Sequence, residues 1–412
     1  KYNPRINEAI ARLPGFARLH PYMPDSWCQG ALELLWRLES LLCDISGLPA
    51  CSLQPAAGAQ GELTGLMCIR AYHEARGESQ RTKVIVPESA HGTNPASAAF
   101  NGYSVVQVRA NARGVLTPDS VRAVMDETVA GLMITNPNTM GIFEEHIAEI
   151  CEIVHAGGGK IYMDGANMNA ILGKARPGDF GIDVMHYNVH KTFSTPHGGG
   201  GPGGGPICVS SDLEPYLPVP RITRDQDGDE AAFRLDWDHD ASVGKLKAFW
   251  GNFLVYVRAY TYIREYGSDL PQISELAVLN ANYLRTKLEP VLNVAYPQSC
   301  LHEVVFDDTS FKDTGASTLD IAKRLIDYGF HPPTIYFPLN VSGALMIEPT
   351  ETETLDELDA FVDVMKTILA EARQNSDLLK GAPYNAFRTR LDETRAARRP
   401  ILTYKQLRAS LS

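Results

Sequence analysis

The first half of the chain alternates between short apolar runs and longer runs in which apolar residues recur at helical spacing. The apolar runs, which are typical of buried strands, are residues 82–86, 104–108, 131–135, 160–163 and 183–189. Helical spacing is found between them, notably over residues 62–76, 118–128 and 145–156. Because strands that alternate with helices usually pair in parallel, this pattern predicts an α/β fold with a mostly parallel sheet wrapped by helices.

The pattern changes after residue 280, where strands become fewer and helices longer. Strands at 301–306 and 345–347 and helices at 319–328 and 353–372 predict a smaller C-terminal α/β domain, joined to the first by an aromatic-rich helix at 250–266. We therefore predict an N-terminal arm and helix (1–50), a large domain (51–265), a small domain (266–380) and a tail (381–412). The tail is rich in Arg and Pro, and we expect it to pack as an extended arm.

The composition and the net charge of the chain limit the kinds of partner that we expect it to bind. With 44% hydrophobic and 21% charged residues, and no apolar run long enough to cross a bilayer, the chain of 412 residues has the make-up of a soluble globular protein. The net charge of −11, without a dense basic cluster, argues against nucleic acid and an anionic membrane as partners. The seven cysteines include no C-x-x-C pair and the N-terminus has no signal-peptide pattern, so we expect no zinc site and a cytoplasmic location.

A lysine follows the last strand of the predicted parallel sheet. Lys191 comes just after the 183–189 run and shortly before a glycine-rich stretch that begins at Gly198. Ligands of α/β proteins collect at the carboxyl ends of the strands, so this amine is well placed to bind a cofactor carbonyl as an imine. By itself, a lysine in such a position is more often an ordinary surface residue. The glycine-rich stretch predicts a mobile lid or a close approach of the backbone to the site.

An aspartate follows the neighbouring strand. Asp164 ends the 160–163 run, and its carboxylate is suited to pair with a protonated pyridine nitrogen, which would keep a pyridoxal ring electron-poor. Ala166 offers a small surface on which the ring could lie. The alternative is that Asp164 only caps the start of a helix. Since Asp164 and Lys191 follow adjacent strand-like runs, we expect both to reach one ligand.

Three further segments strengthen the same hypothesis. Gly58, Ala59 and Gln60 lie where a helix begins, and bare N–H groups there would bind a phosphate, although small residues at helix starts commonly serve only close packing. His91 could stack on a pyridine ring and Thr139 could donate to its hydroxyl; each residue alone is more often structural. Together with the lysine and the aspartate, these segments predict an enzyme that uses pyridoxal 5'-phosphate.

Several long motifs resemble those of the glycine decarboxylase P-protein family. In the large domain they are residues 89–98 (SAHGTNPASA), 135–145 (TNPNTMGIFEE), 164–170 (DGANMNA) and 190–203 (HKTFSTPHGGGGPG). Residues 331–339 (HPPTIYFPL) and 348–353 (EPTETE) extend the resemblance into the small domain, so that it covers nearly the whole chain. The family pattern also includes a Ser-Cys-Thr-Met segment upstream of Lys1. The resemblance implies the pyridoxal-phosphate-dependent transferase fold of type I, which is the fold of aspartate aminotransferase.

The same resemblance implies roles for single residues. Lys191 would form the Schiff base with pyridoxal phosphate, Asp164 would pair with the pyridine nitrogen, and His91 would stack on the ring. Lys191 and His91 are accordingly the expected catalytic residues. His190, which precedes the lysine, is expected to contact the cofactor as well.

P-proteins contain two homologous halves, fused or made as separate subunits, and this chain resembles the second. The implied activity is decarboxylation of glycine, with release of CO2 and transfer of the aminomethyl group to the lipoyl group of the H-protein. Subunit 1, in an α2β2 assembly, and the lipoylated H-protein are therefore expected partners. Two alternatives stay open: another fold type I enzyme acting as a homodimer, such as an aminotransferase or cysteine desulfurase, and a non-catalytic scaffold half, against which Lys191 and Asp164 both argue.

Overall fold

The fold is built around two sheets, one large and mostly parallel and the other small and antiparallel. The structure is a computed structural model that describes residues 1, 3–197, 203–225, 232–248 and 251–411. The strands are β1 (Ala50–Ser52), β2 (Lys83–Pro87), β3 (Ser104–Val108), β4 (Val129–Thr135), β5 (Lys160–Gly165), β6 (Val184–Tyr187), β7 (Ile207–Val209), β8 (Arg221–Asp225), β9 (Ala232–Asp236), β10 (Val304–Phe306), β11 (Thr334–Ile335) and β12 (Leu345–Ile347). The helices are α1 (Arg5–Ala11), α2 (Pro14–Ala17), α3 (Gln29–Ser46), α4 (Gly58–Ala75), α5 (Thr93–Phe100), α6 (Pro118–Arg122), α7 (Ile147–Ala156), α8 (Phe253–Tyr266), α9 (Pro271–Leu288), α10 (Thr318–Asp327), α11 (Leu355–Gln374), α12 (Ser376–Gly381), α13 (Glu393–Arg398) and α14 (Tyr404–Leu411).

The larger sheet has the strand order β1-β7-β6-β5-β4-β2-β3. Strands β3, β2, β4, β5 and β6 pair in parallel, whereas β7 pairs antiparallel with both β6 and β1. Every position of β4 and β5 is buried, because helices cover both faces of the sheet. Successive residues therefore enter opposite cores, as when Leu132 joins one hydrophobic cluster and Met133 the other. We call this sheet with helices α1 to α8 the large lobe.

A second hydrophobic core forms around the sheet β10-β12-β11, in which both strand pairs are antiparallel. Helices α9 and α10 pack on this sheet, and α11 packs on both helices. α10 begins with a capping box, in which the side chains of Ser317 and Asp320 each bond to the other's backbone N–H. Its buried face then brings Ile321 and Leu325 into the core. We call this unit the small lobe.

The predicted α/β fold and its strands are confirmed, with corrections at the ends of some elements. β6 ends at Tyr187 and not at residue 189, because the N–H groups of Lys191 and Thr192 both donate to the Asn188 carbonyl and turn the chain. α6 ends at Arg122 and not at residue 128, since Asp126 accepts from the N–H of Thr128 in a turn that leads into β4. β10 begins later than predicted, at Val304.

The prediction that the tail is an extended arm is wrong. α13 begins where the Asp392 side chain accepts from the N–H of Arg395 at 2.8 Å. α14 begins after Thr403, and the side chains of Thr403 and of Gln406 in its first turn accept from each other's backbone N–H. This T-x-x-Q spacing is a helix start signal that the Arg- and Pro-rich composition obscured. All residues from 387 to 411 are exposed, so these two short helices present their side chains to solvent.

The predicted lid falls largely on residues 198–202, which lie outside the described residues. The glycines that follow are buried against the large lobe, and a Cβ on Gly205 would lie 2.0 Å from the Ala57 carbonyl oxygen. This part of the stretch therefore fulfils the other prediction, a close approach of the backbone. Within the described ranges, no helix combines the length and the apolar character that a membrane crossing requires.

Candidate functional site

The carboxyl ends of β4, β5 and β6 bring three polar residues into a row. Thr135 pairs in register with Asp164, and Asp164 pairs with His186, so the three lie side by side on neighbouring parallel strands. They line a cavity of about 930 Å³ between the large and small lobes. Among the predicted site residues, those that line this cavity are Lys191, His91, Asp164, Ala166, Gly58, Ala59, Thr139 and His190, whereas Gln60 is not one of the lining residues.

Lys191 lies in the turn after β6. Its backbone N–H donates to the Asn188 carbonyl at 2.8 Å, and the following N–H, of Thr192, donates to the same oxygen at 3.1 Å. Thr192 and Phe193 are fully buried, whereas the lysine itself is exposed and lines the cavity. The buried turn therefore fixes the backbone of Lys191 and presents its amine to the cavity.

Asp164 has polar contacts at both carboxylate oxygens. Oδ1 accepts from the N–H of Ala166 at 2.9 Å and lies 3.4 Å from Nε2 of His186, while Oδ2 accepts from Nδ2 of Asn94 at 3.1 Å. Burial by itself would raise the pKa of Asp164, but these contacts and the charge of Lys191 outweigh it, and the pKa is lowered. Asp164 is therefore a fixed negative charge on the large-lobe side of the cavity.

His186 connects this carboxylate to the interior of the sheet. Its Nδ1 contacts the hydroxyl of the buried Tyr162, and its Nε2 lies 3.1 Å from Nδ2 of Asn188. Burial lowers the pKa of His186, although the charge of Asp164 acts in the opposite direction. The contacts with Tyr162 and Asn188 hold the ring of His186 beside Asp164.

A second buried carboxyl, Glu62 on α4, supports Asp164 through Asn94. Oε2 of Glu62 accepts from Asn94 at 3.0 Å and from Ser97 at 3.2 Å, and Oε1 accepts from the Thr93 hydroxyl at 2.7 Å. Burial, together with the charge of Asp164, raises the pKa of Glu62 to about 7. Asn94 thus lies between two carboxyl groups, and its amide holds both in place.

The N-terminus of α4 opens onto the cavity. Ala57, which precedes the helix, has an extended backbone and provides no side-chain cap. Gly58 packs so closely that a Cβ would lie 2.3 Å from Oδ1 of Asn188. Gln60 uses its side-chain oxygen within the loop, where it accepts from the N–H of Ala56 at 2.6 Å. The backbone N–H groups of this 18-residue helix and its dipole favour an anion at this position.

Two of the predicted contact residues differ in burial. Thr139 is buried, and its hydroxyl donates to the Ser89 carbonyl at 2.7 Å. His91 is exposed at the rim, where its ring centroid lies 5.7 Å from that of Phe337 in the small lobe. Thr139 is therefore held by a buried hydrogen bond, whereas His91 is exposed and contacts Thr93 through its Nδ1.

His190 packs its ring on that of His197, with centroids 4.3 Å apart. Its Nδ1 is buried and has no hydrogen-bond partner within the described residues. Burial, helped by the charges of His197 and Lys191, lowers the pKa of His190 to about 4. The ring is therefore neutral near pH 7.

The small lobe contributes an acidic wall. The register pair Val304 and Ile347 ends the β10–β12 ladder, and the next residue on each strand, Glu303 and Glu348, lines the cavity. His302 is fully buried and Glu303 is 3% exposed. Over the described ranges, both ring nitrogens of His302 and Oε1 of Glu303 have no hydrogen-bond partner. Burial and the charge of Glu348 raise the pKa of Glu303.

The sequence motifs do not reveal the residues that hold Asp164 or those of the acidic wall. They are Glu62, Asn94, His186, Glu303 and Glu348. The available signal was a polar residue within or beside an apolar strand, as with His186 inside β6 and Glu303 before β10. Such a residue needs a partner, because a buried polar group without one is costly.

Known proteins share both the sequence and the domain order of this chain. The family "Glycine cleavage system P-protein" matches residues 3–238, and "Glycine dehydrogenase, C-terminal domain" matches residues 273–386. A probable glycine dehydrogenase (decarboxylating) subunit 2 from Halalkalibacterium halodurans is 55% identical over 408 residues, which cover 99% of this chain and 83% of that protein. The protein of the same name from Caldanaerobacter subterraneus subsp. tengcongensis is 55% identical over 405 residues, with 98% and 83% covered.

Solved structures share the fold. An inhibitor-bound glycine decarboxylase (P-protein) of the glycine cleavage system matches with a TM-score of 0.77 at 18% identity, covering 89% of this chain and 82% of that one. A cysteine desulfurase from Thermococcus onnurineus NA1 matches with a TM-score of 0.68 at 14% identity, covering 90% and 92%. The predicted fold type I is thereby confirmed, and the sequence matches show that the chain belongs to the glycine cleavage system P-protein family.

Proposed function

We propose that this chain decarboxylates glycine in the cavity between its lobes and transfers the remaining aminomethyl group to the lipoyl group of a carrier protein. Family membership establishes the coarser statement: the chain is a glycine-decarboxylating enzyme of the glycine cleavage system, and pyridoxal phosphate is its cofactor. One observation carries the assignment to this cavity. Lys191, the ionised Asp164 and the uncapped N-terminus of α4 converge on a single space.

The residues of the cavity fit pyridoxal phosphate. When bound, this cofactor supplies an electron-poor ring that takes up the electron pair of the bond being broken. Lys191 would hold its aldehyde carbon, and the N–H groups at the start of α4 would hold its phosphate. Within the described residues, the buried hydroxyls of Thr135 and Thr195 have no hydrogen-bond partner, and both line the cavity. A polar ligand would satisfy these groups.

Asp164 would hold a proton on the ring nitrogen of the cofactor. This role requires a carboxylate that stays ionised while buried, and the lowered pKa of Asp164 meets the requirement. The contacts with Ala166, His186 and Asn94 also fix the orientation of the carboxylate before any ligand arrives. Such preorganisation lowers the cost of reorganising the site during the reaction.

The charge of the walls suits the loss of CO2. Among the described residues that line the cavity there is no arginine, and the small-lobe wall carries Glu303 and Glu348 instead. A substrate carboxylate that is bound by a fixed cation loses that attraction when it leaves as neutral CO2, which would stabilise the ground state more than the transition state. An acidic wall avoids this penalty and therefore supports decarboxylation.

We also propose a companion subunit and a lipoylated carrier as partners. The similar proteins are named subunit 2, and that name implies a subunit 1. We infer that subunit 1 completes the assembly as an α2β2 tetramer, and that the lipoylated H-protein delivers the acceptor disulfide to the cavity.

Exchange of labelled bicarbonate into the carboxyl group of glycine tests the proposal. The assay is run with the lipoylated H-protein present, first with this chain alone and then with subunit 1 added. We expect exchange only when both subunits are present. Exchange by this chain alone would keep the chemistry and remove the need for subunit 1. Absence of exchange in both cases, with cofactor bound, would favour another fold type I activity, such as that of an aminotransferase.

Lys191→Ala tests the role of the lysine. Because no other side chain would hold the cofactor covalently, we expect exchange to fall below detection, together with loss of the cofactor's visible absorbance. The far-ultraviolet circular dichroism should be unchanged, since the amine of Lys191 is exposed to the cavity. Lys174→Ala, at an exposed ion pair with Glu275, is the matched control and should retain activity. A cofactor adduct that borohydride still traps in Lys191→Ala would exclude the assignment.

A further inference from the structure

The acidic wall of the small lobe carries a buried carboxyl that the proposed function leaves without a role. The ligating atoms of His302, Glu303 and Glu348 lie within 4.8 Å of one another. Over the described part of the chain, neither carboxyl forms an ion pair with a lysine or an arginine, and Glu348 accepts only a long bond, 3.2 Å, from Asn169. Burying an unpaired carboxylate is costly, so the buried Glu303 is more stable when it carries a proton.

The proposed reaction consumes a proton. Glycine's carboxylate leaves as neutral CO2 and takes no proton with it. The negative charge therefore passes to the acceptor disulfide, where one sulfur bonds to carbon and the other is released as a thiolate. A thiolate that forms in a cavity shielded from water is strongly stabilised by a neighbouring acid.

The other titratable groups of the cavity are poorly suited to supply this proton. Burial lowers the pKa of His186, and the pKa of His190 is lowered to about 4, so both rings are unprotonated at neutral pH. Both oxygens of Glu62 already accept hydrogen bonds from α5. Asp164 is ionised. Glu303 differs from all of these groups. It lines the cavity, and its Oε1 is buried and has no hydrogen-bond partner in the described residues.

We propose that Glu303 is the general acid that protonates the leaving sulfur of the lipoyl disulfide. The proposal rests on the proposed function, because it names the acid for that reaction. Burial and the neighbouring charge of Glu348 raise the pKa of Glu303, which favours its protonated form. The charged and titratable groups near Glu303 are Glu348, Lys191, His302 and Cys300, and Lys1 lies near Glu348.

Atoms and electrons balance in this step. The bond between the α-carbon and the carboxylate of glycine breaks, and its electron pair forms the new carbon–sulfur bond. The sulfur–sulfur bond breaks, its electron pair stays on the second sulfur, and that sulfur takes the proton of Glu303. Glycine is oxidised and the disulfide is reduced by one electron pair. Water returns a proton to Glu303 once the carrier has left.

The test is CO2 release from carboxyl-labelled glycine between pH 5.5 and 9.5, with both subunits, cofactor and the lipoylated H-protein. In the wild type, we expect kcat to fall on the alkaline side, where Glu303 loses its proton. Glu303→Gln should lower kcat at neutral pH by about 100-fold, in the range for loss of a general acid, and its residual rate should lack the alkaline fall. The KM for glycine should change by less than about threefold, because binding of glycine precedes the proton transfer.

Glu348→Gln provides an independent test. Removing its negative charge lowers the pKa of Glu303, so the alkaline fall should move to lower pH while remaining visible. Glu353→Gln, which removes an exposed carboxylate nearby, is the control and should match the wild type. A Glu303→Gln enzyme with the wild-type rate would overturn the proposal. An equal loss at every pH, with the alkaline fall retained, would make Glu303 merely structural.

Two further outcomes separate this proposal from others. If EDTA removes activity and added Mg²⁺ or Zn²⁺ restores it, the three clustered side chains hold a cation and the proton role is wrong. If the wild type releases no CO2 under the same conditions, the proposed function itself fails. The wild-type rate is thus the check on the function, and the variant pH profiles are the check on Glu303.

Discussion

The two walls of the cavity treat their buried carboxyl groups in opposite ways. In the large lobe, Asp164 has partners at both oxygens, and three donors satisfy Glu62. In the small lobe, within the described residues, His302 has two unpartnered ring nitrogens and Glu303 an unpartnered oxygen. Both walls are buried, so depth alone does not explain the difference. A satisfied wall keeps one geometry, whereas an unsatisfied wall is suited to exchange protons or ligands.

The difference also assigns the two walls to different parts of the chemistry. A cofactor that stays bound through many turnovers benefits from a fixed environment, which the large-lobe wall offers. A substrate or carrier that comes and goes must replace its lost water contacts with contacts from the protein. Unpartnered groups on the small-lobe wall can form those contacts without first breaking internal ones.

Asp164→Asn tests whether the large-lobe wall acts on the cofactor. The variant removes the fixed negative charge. If the amide NH2 group replaces the oxygen that faces Asn94, the hydrogen bond from Asn94 is lost as well, because an NH2 group cannot accept. Losing one preorganised electrostatic partner typically costs about 10²–10³ in rate, and we expect glycine decarboxylation to fall by that factor. Steady-state kcat measures the effect. Asp126→Asn, at an exposed pair with Lys83, is the control. Near-normal kcat in Asp164→Asn would mean that the large-lobe wall does not act on the cofactor.

Glu62→Gln tests whether the satisfied wall is sensitive to pH. The pKa of Glu62 is about 7 in the folded protein, against an ordinary value of 4.5, so the folded state holds this proton more tightly than the unfolded chain. The contribution of Glu62 to the free energy of unfolding of the wild type is therefore fully present below pH 4.5 and is lost as the pH rises towards 7. Glu62→Gln should lack this loss, which amounts to at most about 3 kcal/mol.

Urea unfolding at pH 5 and pH 8 measures this effect as the difference between variant and wild type. Glu149→Gln, on the exposed face of α7, should show no such difference between the two pH values. If Glu62→Gln and the wild type respond alike to pH, Glu62 is ionised throughout. The large-lobe wall would then hold two negative charges and not one.

Thr135→Val tests a point at which the two walls resemble each other. The buried hydroxyl of Thr135 has no partner among the described residues, although it lies in the satisfied wall. We expect the apo-protein to keep or gain stability, because no hydrogen bond is lost, while cofactor affinity falls about fivefold, as for one hydrogen bond. Cofactor titration and the apo Tm measure the two effects.

Thr261→Val is the matched control for this variant, since its buried hydroxyl donates to the Val257 carbonyl at 2.8 Å within α8. That substitution should lower the Tm slightly and leave cofactor affinity unchanged. A Thr135→Val protein that binds cofactor as well as the wild type would show that the unpartnered hydroxyl serves no ligand.

Much of the fold follows from local pattern. The strands of the large sheet are visible because both faces are covered, which makes each strand an apolar run. Lys191, Asp164 and the start of α4 are predictable for a related reason: all three lie at the ends of elements, where ligands of α/β sheets collect. The turn after β6 was not predicted, because it depends on the carbonyl of Asn188 accepting two N–H groups.

The acidic wall and the support of Asp164 were not predictable from the pattern. Glu62 and Asn94 meet only because α4 and α5 pack side by side, and Glu303 and Glu348 meet only through the register of β10 and β12. Neither pairing leaves a periodic signal in the chain. The helices of the tail were missed for a different reason, since the signal at Thr403 and Gln406 is present but local.

The row formed by Thr135, Asp164 and His186 has a consequence for how this protein can change over evolution. The spacing between these side chains is set by the distance between neighbouring strands, about 4.8 Å, and not by the length of chain that joins the strands. Insertions and deletions in the connecting helices therefore leave the row intact. A slip of one residue in the register of β5, in contrast, would turn Asp164 to the opposite face of the sheet. The site tolerates drift in loop length but not in strand register.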